Sequence, residues 1–236
     1  MSKLSTVSDI LAALKTTAKP ETVEFKRMKY NVQAKNSLGN TQKEINNLLK
    51  GIDKNNELAI ALFDSGVYEG RLLCGKMYKP KDLTSELMEA WVNTFENWEI
   101  CDTFCMKLFS SSPLALEKIK AWSTREEEFV KRAAFATMAS YGSRHKDEDN
   151  AVFRTFLPVI ESASTDNRIY VKKAVNWALR EIGKRNVDLK AEALNTANRI
   201  LAKGDRASVW IAKDAIKELQ HPSVSMRNYP RSLYPV

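Results

Sequence analysis

The segment Val130-Lys-Arg-Ala-Ala134 returns as Val171-Lys-Lys-Ala-Val175 and again, more weakly, as Ala212-Lys-Asp-Ala-Ile216, each time after 41 residues. Like local patterns at a fixed interval ask for like local structures stacked on one another. Between them lie second apolar stretches, Val152 to Ala163 and Leu189 to Ala202, so each unit holds two amphipathic segments. Apolar residues recur at intervals of three and four from end to end, as in Ile10, Leu11, Leu14 or Ile211, Ala215, Ile216, Leu219, and strand-like alternation is missing. The spacing predicts an all-α chain.

A two-helix unit of this length belongs to solenoids of the HEAT or armadillo kind, whose repeats run roughly 40 to 47 residues and stack into curved bodies with a concave face. The expectation is one HEAT-like or armadillo-like helical-repeat solenoid over residues 1–221, followed by an irregular tail at 222–236. Helix breaks are expected at Gly39, Pro80, Pro113, Gly142 and Gly204. Gly204-Asp205 reads as a C-terminal glycine followed by an N-cap, and Leu83-Thr84-Ser85-Glu86 as supplying a cap before Glu-Leu-Met-Glu-Ala-Trp.

The formal charge is +8, and its distribution is uneven. Residues 168–217 hold twelve Lys or Arg against five acids, whereas residues 85–130 hold nine acids against four bases. If the recurring helices line the concave face, Arg132, Lys173 and neighbouring bases form a cationic groove for a polyanion. On charge alone, basic helices that are simply solvated account for the excess equally well. Apolar runs are too short for a membrane span and the N-terminus is amphipathic, so a cytoplasmic monomer without membrane contact is expected. Cys74, Cys101 and Cys105 cannot form a disulfide framework, which fits a reducing compartment. Cys101 and Cys105 lie one helical turn apart, but His145 and His221 are far along the chain, so no metal site is expected. Neither a nucleophile elbow nor a phosphate-cradling glycine loop nor a dinucleotide fingerprint is present, and no cofactor is expected.

Within Asn-Trp-Glu-Ile-Cys-Asp, residues 97–102, Trp98 and Asp102 stand four apart and share a helix face. A carboxylate beside an indole is costly in a core, which suggests a face that looks into a cleft; a core tryptophan with a solvated aspartate is the plainer account of such a pair. Trp177 lies among Lys172, Lys173, Arg180, Lys184 and Arg185, combining a flat aromatic surface with phosphate-binding charge. Alone, it too reads as core.

Taken together, the segments 37–50 (SLGNTQKEINNLLK), 97–102, 130–135 (VKRAAF) and 173–184 (KAVNWALREIGK) resemble the bacterial DNA alkylation repair family of HEAT-like-repeat, AlkD-like DNA glycosylases, from about Tyr30 to Leu219. The resemblance implies a solenoid that clasps double-stranded DNA and excises N3-methyladenine and N7-methylguanine as a monofunctional alkylpurine glycosylase. It implies Asp102 as the catalytic carboxylate, Trp98 and Trp177 as the flanking aromatics, and Arg132, Tyr30 and Arg180 as DNA contacts. Lys131, Lys173, Lys213 and Gln42 are expected to contact DNA with them. The pattern departs at Ser140, where a basic residue is expected, and at Gln42, where threonine is. Strand nicking through a Schiff base would need a lysine of depressed pKa, with Lys131 and Lys173 as the candidates. A non-catalytic relative that binds DNA structures and a scaffold for an acidic protein are the alternatives.

Overall fold

The computed structural model describes residues 3–234. Among them are thirteen α-helices, two 3-10 turns at Pro80–Asp82 and Phe109–Ser111, and a lone bridge between Leu4 and Ile52. Contacts cluster into two compact units that divide after Pro113, where the sequence reading drew a single body.

The first unit contains α1 (Val7–Thr16), α2 (Pro20–Tyr30), α3 (Gln42–Lys50), α4 (Asn56–Asp64), α5 (Tyr68–Met77), α6 (Ser85–Val92) and α7 (Trp98–Lys107). Five of its helices start on side-chain caps: Thr41 and Glu44 form a reciprocal capping box on α3, and within the stretch 83–86 expected to cap α6 it is Thr84 that accepts from the Leu87 N–H, at 3.2 Å. The core gathers around Phe104, whose ring centroid lies 5.1 Å from Phe95, 5.4 Å from Trp91 and 5.6 Å from Phe109. Gly75 lets α5 settle on that ring, since a Cβ there would sit 2.8 Å from Phe104 Cδ2. Phe104 thereby fixes the buried side of α7.

The second unit contains α8 (Ala115–Trp122), α9 (Glu128–Arg144), α10 (Asn150–Ala163), α11 (Ile169–Gly183), α12 (Val187–Ala202) and α13 (Arg206–Leu219). The recurring segments fall on α9, α11 and α13, which pack in series, and the intervening apolar stretches fall on α10 and α12. Matching positions are buried in register: Val130, Val171 and Ala212; Ala133, Ala174 and Ala215. Small side chains at these positions bring neighbouring helices close. Gly204 adopts φ +77°, and Asp205 caps α13 by accepting from the Ala207 and Ser208 N–H groups at 3.0 and 3.1 Å. Gly142 does not end its helix: α9 runs on to Arg144, and the Gly142 carbonyl accepts from the guanidinium of Arg185.

Arg185, read from the sequence as a surface base, is fully buried in the turn between α11 and α12. It also donates to the carbonyls of His145, Lys146 and Glu148 at 3.0, 3.3 and 3.2 Å and lies 3.8 Å from the centre of the Phe153 ring. Burial, reinforced by the nearby charge of Arg227, lowers its pKa to about 10, so the guanidinium stays charged at neutral pH. The expected irregular tail is docked on this turn: the Arg227 and Tyr229 N–H groups donate to the Lys184 and Arg185 carbonyls at 2.9 and 2.8 Å. Asn186 Nδ2 adds a 2.6 Å bond to the Tyr229 carbonyl. Among the described residues, no helix is long and apolar enough to cross a membrane.

Removing Arg185 leaves several carbonyls without their donor in a dry site. Arg185→Ala is expected to lower unfolding stability by about 3–5 kcal/mol in urea titrations. Arg185→Lys should rescue little, because an ammonium cannot span four acceptors in one plane; a loss below about 1 kcal/mol for the alanine variant would contradict the clamp.

Candidate nucleic-acid interface

On α7 the helical period sorts side chains into two faces. Ile100, Cys101, Phe104, Cys105 and Leu108 are buried, while Trp98 and Asp102 are half-buried and Met106 is exposed. Trp98 and Asp102 thus share the half-open face that their spacing predicts. The start of α7 is set by buried Asn97, whose Oδ1 accepts from the Glu99 and Ile100 N–H groups at 2.9 and 3.2 Å and whose Nδ2 donates to the Gln33 carbonyl at 3.0 Å. The indole N–H of Trp98 donates to the Tyr30 carbonyl at 2.9 Å, so it is spent on α2 rather than on the carboxylate of Asp102. Tyr30 itself is exposed at the end of α2, edge-on to Phe25 at 5.7 Å.

Glu99, one turn before Asp102, is the hub of a buried polar network. Lys26 Nζ donates to both its oxygens at 3.0 and 3.1 Å, Gln42 Nε2 at 2.9 Å and the Tyr68 hydroxyl at 3.0 Å. Gln42 in turn accepts from Lys76 Nζ at 2.7 Å. Burial pushes the Lys76 ammonium below its ordinary pKa, and the charges of Lys107 and Lys26 act in the same direction against the opposing pull of Glu99. Gln42, expected on DNA, therefore has both ends of its amide engaged inside the unit. The network ties α2, α3 and α5 to α7, fixing the helix that carries Trp98 and Asp102.

The second unit holds the remaining residues. Trp177 and Arg180 are half-buried on α11, and Lys173 is exposed on it. Arg132 is 6% exposed and donates to the Tyr170 carbonyl at 2.7 Å. Ser140 is buried, its hydroxyl returned to the Ala136 carbonyl at 2.8 Å within α9, so that position is a packing site. Lys131 pairs with Asp166 at 3.4 Å. Arg180 reaches Glu218 and lies 3.7 Å from Asp214, and Lys184 pairs with Glu181 and Glu218 at 2.6 and 2.8 Å. The basic excess of this segment therefore divides. One set of cations ties helices together; another, made of Lys173, Arg206, Lys213 and Lys217, is exposed and pairs with no acid among the described residues.

Burial pushes the Asp166 carboxyl upward, but hydrogen bonds from the Arg168 side chain and N–H, with the charges of Arg168 and Lys131, outweigh it and hold the group below its ordinary value. All three cysteines are buried, and burial raises the Cys74 thiol well above its usual range. Among the described residues, no group of three or more His, Cys, Asp or Glu is gathered as a metal would need.

A family model described as DNA alkylation repair enzyme matches residues 10–219. The chain belongs to that family. No functionally curated protein matches it. A solved structure described as "a new family of proteins related to the HEAT-like repeat DNA glycosylases with affinity for branched DNA structures" superposes with a TM-score of 0.74. The match covers 96% of this chain and 99% of the other at 18% identity, and it shows that the alkylation repair chain has the HEAT-like-repeat fold.

The Glu99 hub went unread because its partners lie 73, 57 and 31 residues away, at separations no local pattern records. Asn97 was legible as a polar residue before an apolar helix. Two outcomes test this layout. Lys26→Met and Glu99→Gln, measured singly and together by thermal unfolding, should show a coupling of about 0.5–3 kcal/mol; strict additivity would mean that the pair does not hold α2 to α7. Asp166→Asn should lower the melting temperature at neutral pH. Because the folded pKa of Asp166 is depressed, its contribution is present above the ordinary value of 3.8 and is lost as pH falls through the folded value. The gap between variant and parent should therefore close in acid, and a gap unchanged at about pH 2 would assign the loss to packing instead.

Proposed function

We propose that this member of the family is a monofunctional DNA glycosylase that releases cationic alkylated purines, N3-methyladenine and N7-methylguanine, from duplex DNA. The observation that carries the reading is the half-open face of α7: an aspartate and an indole side by side on a helix whose opposite face is packed and whose first turn is tied to α2, α3 and α5. Asp102 is the catalytic carboxylate, Trp98 is the aromatic beside it, and Trp177 of the second unit is an aromatic surface for DNA. A purine alkylated at N3 or N7 already carries positive charge and leaves without a strong acid. The group in need of help is the sugar, which becomes oxocarbenium-like as the N-glycosidic bond breaks.

A carboxylate 4 Å from that developing charge is worth about 4 kcal/mol at an effective dielectric of 20, or roughly a thousandfold in rate when realised in the transition state. The same carboxylate orients the attacking water. Indole faces favour the cationic sugar and base through their quadrupole. In this proposal Lys173, Lys213 and Tyr30 contact the DNA, and Arg180, expected there from the resemblance, is held instead by Glu218 and Asp214. Arg132, Lys131 and Gln42, each held by internal partners, act by positioning the helices that do.

A second reading, binding of DNA structures without catalysis, draws support from the related solved protein, which is described as having affinity for branched DNA. Base release from duplex DNA carrying N7-methylguanine separates the two. Wild type should release the base, and Asp102→Asn at verified folding should be slower by about a hundredfold to a thousandfold with duplex binding retained. Salt-sensitive binding without release by wild type would move the protein to the second reading.

A further inference from the structure

We propose that α13 carries a stacking platform for an unpaired nucleotide of a bound DNA strand, built from Trp210 and the cations around it. The proposal rests on the chain's acting on DNA, but neither on Asp102 nor on base release.

Trp210 is 39% exposed, a large aromatic left on the surface of a helix whose other face is packed. Arg206, Lys213 and Lys217 stand four residues before it and three and seven after it, so all share its face. Lys172 of α11 places its ammonium 5.1 Å from the centre of the indole. Trp210, Arg206, Lys213 and Lys217 line an open groove of about 660 Å³. Asp214, the acid at its edge, lies 3.7 Å from Arg180.

The repeat shows that packing does not demand tryptophan here. In the 41-residue register the equivalent positions are Glu128 and Ile169, and Ile169 is also exposed, at 51%. An acid, a medium aliphatic and an indole occupy one structural position, so neighbouring helices do not select the side chain. Lys131, Lys172 and Lys213 are likewise equivalent to one another. Lys131 is tied to Asp166, Lys172 covers the indole, and Lys213 is exposed.

A flat aromatic ringed by cations is complementary to a ligand that is both anionic and flat. Intact duplex satisfies only half of that description: it offers phosphates, while its bases are hidden in the stack. A nucleotide at a fork, flap or single-stranded extension offers both, its base to the indole and its phosphates to Arg206, Lys213 and Lys217. The groove's open form suits a strand that runs along the helix.

The test compares binding of blunt duplex with the same duplex bearing a single-stranded extension, by fluorescence anisotropy at fixed salt. Wild type should bind the extended DNA more tightly. Trp210→Ala should weaken that binding by roughly 5- to 100-fold, the range expected for one base stacked on an aromatic, and leave blunt duplex within about twofold. Trp210→Phe should retain most of the preference and Trp210→Leu should lose it, which separates stacking from bulk; melting temperatures establish that each variant is folded. Equal loss on both DNAs, no preference for the extension in wild type, or competition by poly-glutamate and not by single-stranded DNA would each overturn the proposal. Base release from methylated duplex by Trp210→Ala, compared with Asp102→Asn, keeps the two readings apart. Absence of release by wild type with the extension preference intact would remove the glycosylase and leave the platform standing.

Discussion

The second unit depends on the close approach of α9, α11 and α13, which alanine and valine at matching positions of the recurring segment permit. A helix pair drawn together on small residues buries little area per side chain, so it needs many positions in register, and a polar side chain among them must find a partner, as buried Asn176 of α11 does by donating to the Ile211 carbonyl of α13 at 3.1 Å. That requirement fixes where charge goes. The residue after each buried Val or Ala is lysine in all three repeats, at 131, 172 and 213, and packing the alanines turns these lysines outward as a set. What each lysine then does depends on its neighbours: an aspartate takes the first, an indole the second, and the third is left to solvent.

The same sorting explains why net charge is a poor guide to the binding surface. Arg185 belongs to the basic segment and is fully buried, serving backbone carbonyls and the docked tail; Arg180 and Lys184 share Glu218. In Glu218, burial opposes ionisation, yet hydrogen bonds from Lys184 and Arg180 keep the group below its ordinary pKa. Such pairs hold helices in place and add nothing to an external field at distances beyond about a Debye length. The field that reaches DNA comes from the cations without a carboxylate partner, and α13 supplies three of them along one face.

Legibility in the sequence followed the range of the interactions. The 41-residue repeat, the cap at Asp205 and the shared face of Trp98 and Asp102 all arise within a few residues or from periodicity, and each stands in the structure as expected. Gly142 reads as a break in sequence yet is not one, because glycine's backbone freedom is only permission: nothing there demands a positive φ, and α9 continues through it. Arg185, Glu99 and Gln42 could not be read at all. Their roles depend on partners brought together by the fold, and a lone base, acid or amide in sequence is silent about whether it is buried. Trp210 is inconspicuous for a different reason. It lies in a weak third copy of the repeat, and its interest appears only when the register shows Glu128 and Ile169 in the same place.

The mounting of α7 bears most directly on chemistry. A carboxylate stabilises a transient cation only if its position is set before the charge appears, since reorganising it during the reaction would consume the gain. Asp102 lies near the middle of a ten-residue helix, and three restraints act on that helix: the Asn97 cap, the Glu99 network and the Phe104 core. The bond from Trp98 to the Tyr30 carbonyl adds a fourth and has a second consequence. With its only donor committed to α2, the indole cannot hydrogen-bond Asp102, so whatever Trp98 contributes at this face comes from its ring surface. A surface that offers stacking and quadrupole attraction, beside a carboxylate that offers charge, suits a flat cationic ligand better than a neutral polar one. On the proposed reading, that preference is built into the way α7 is anchored.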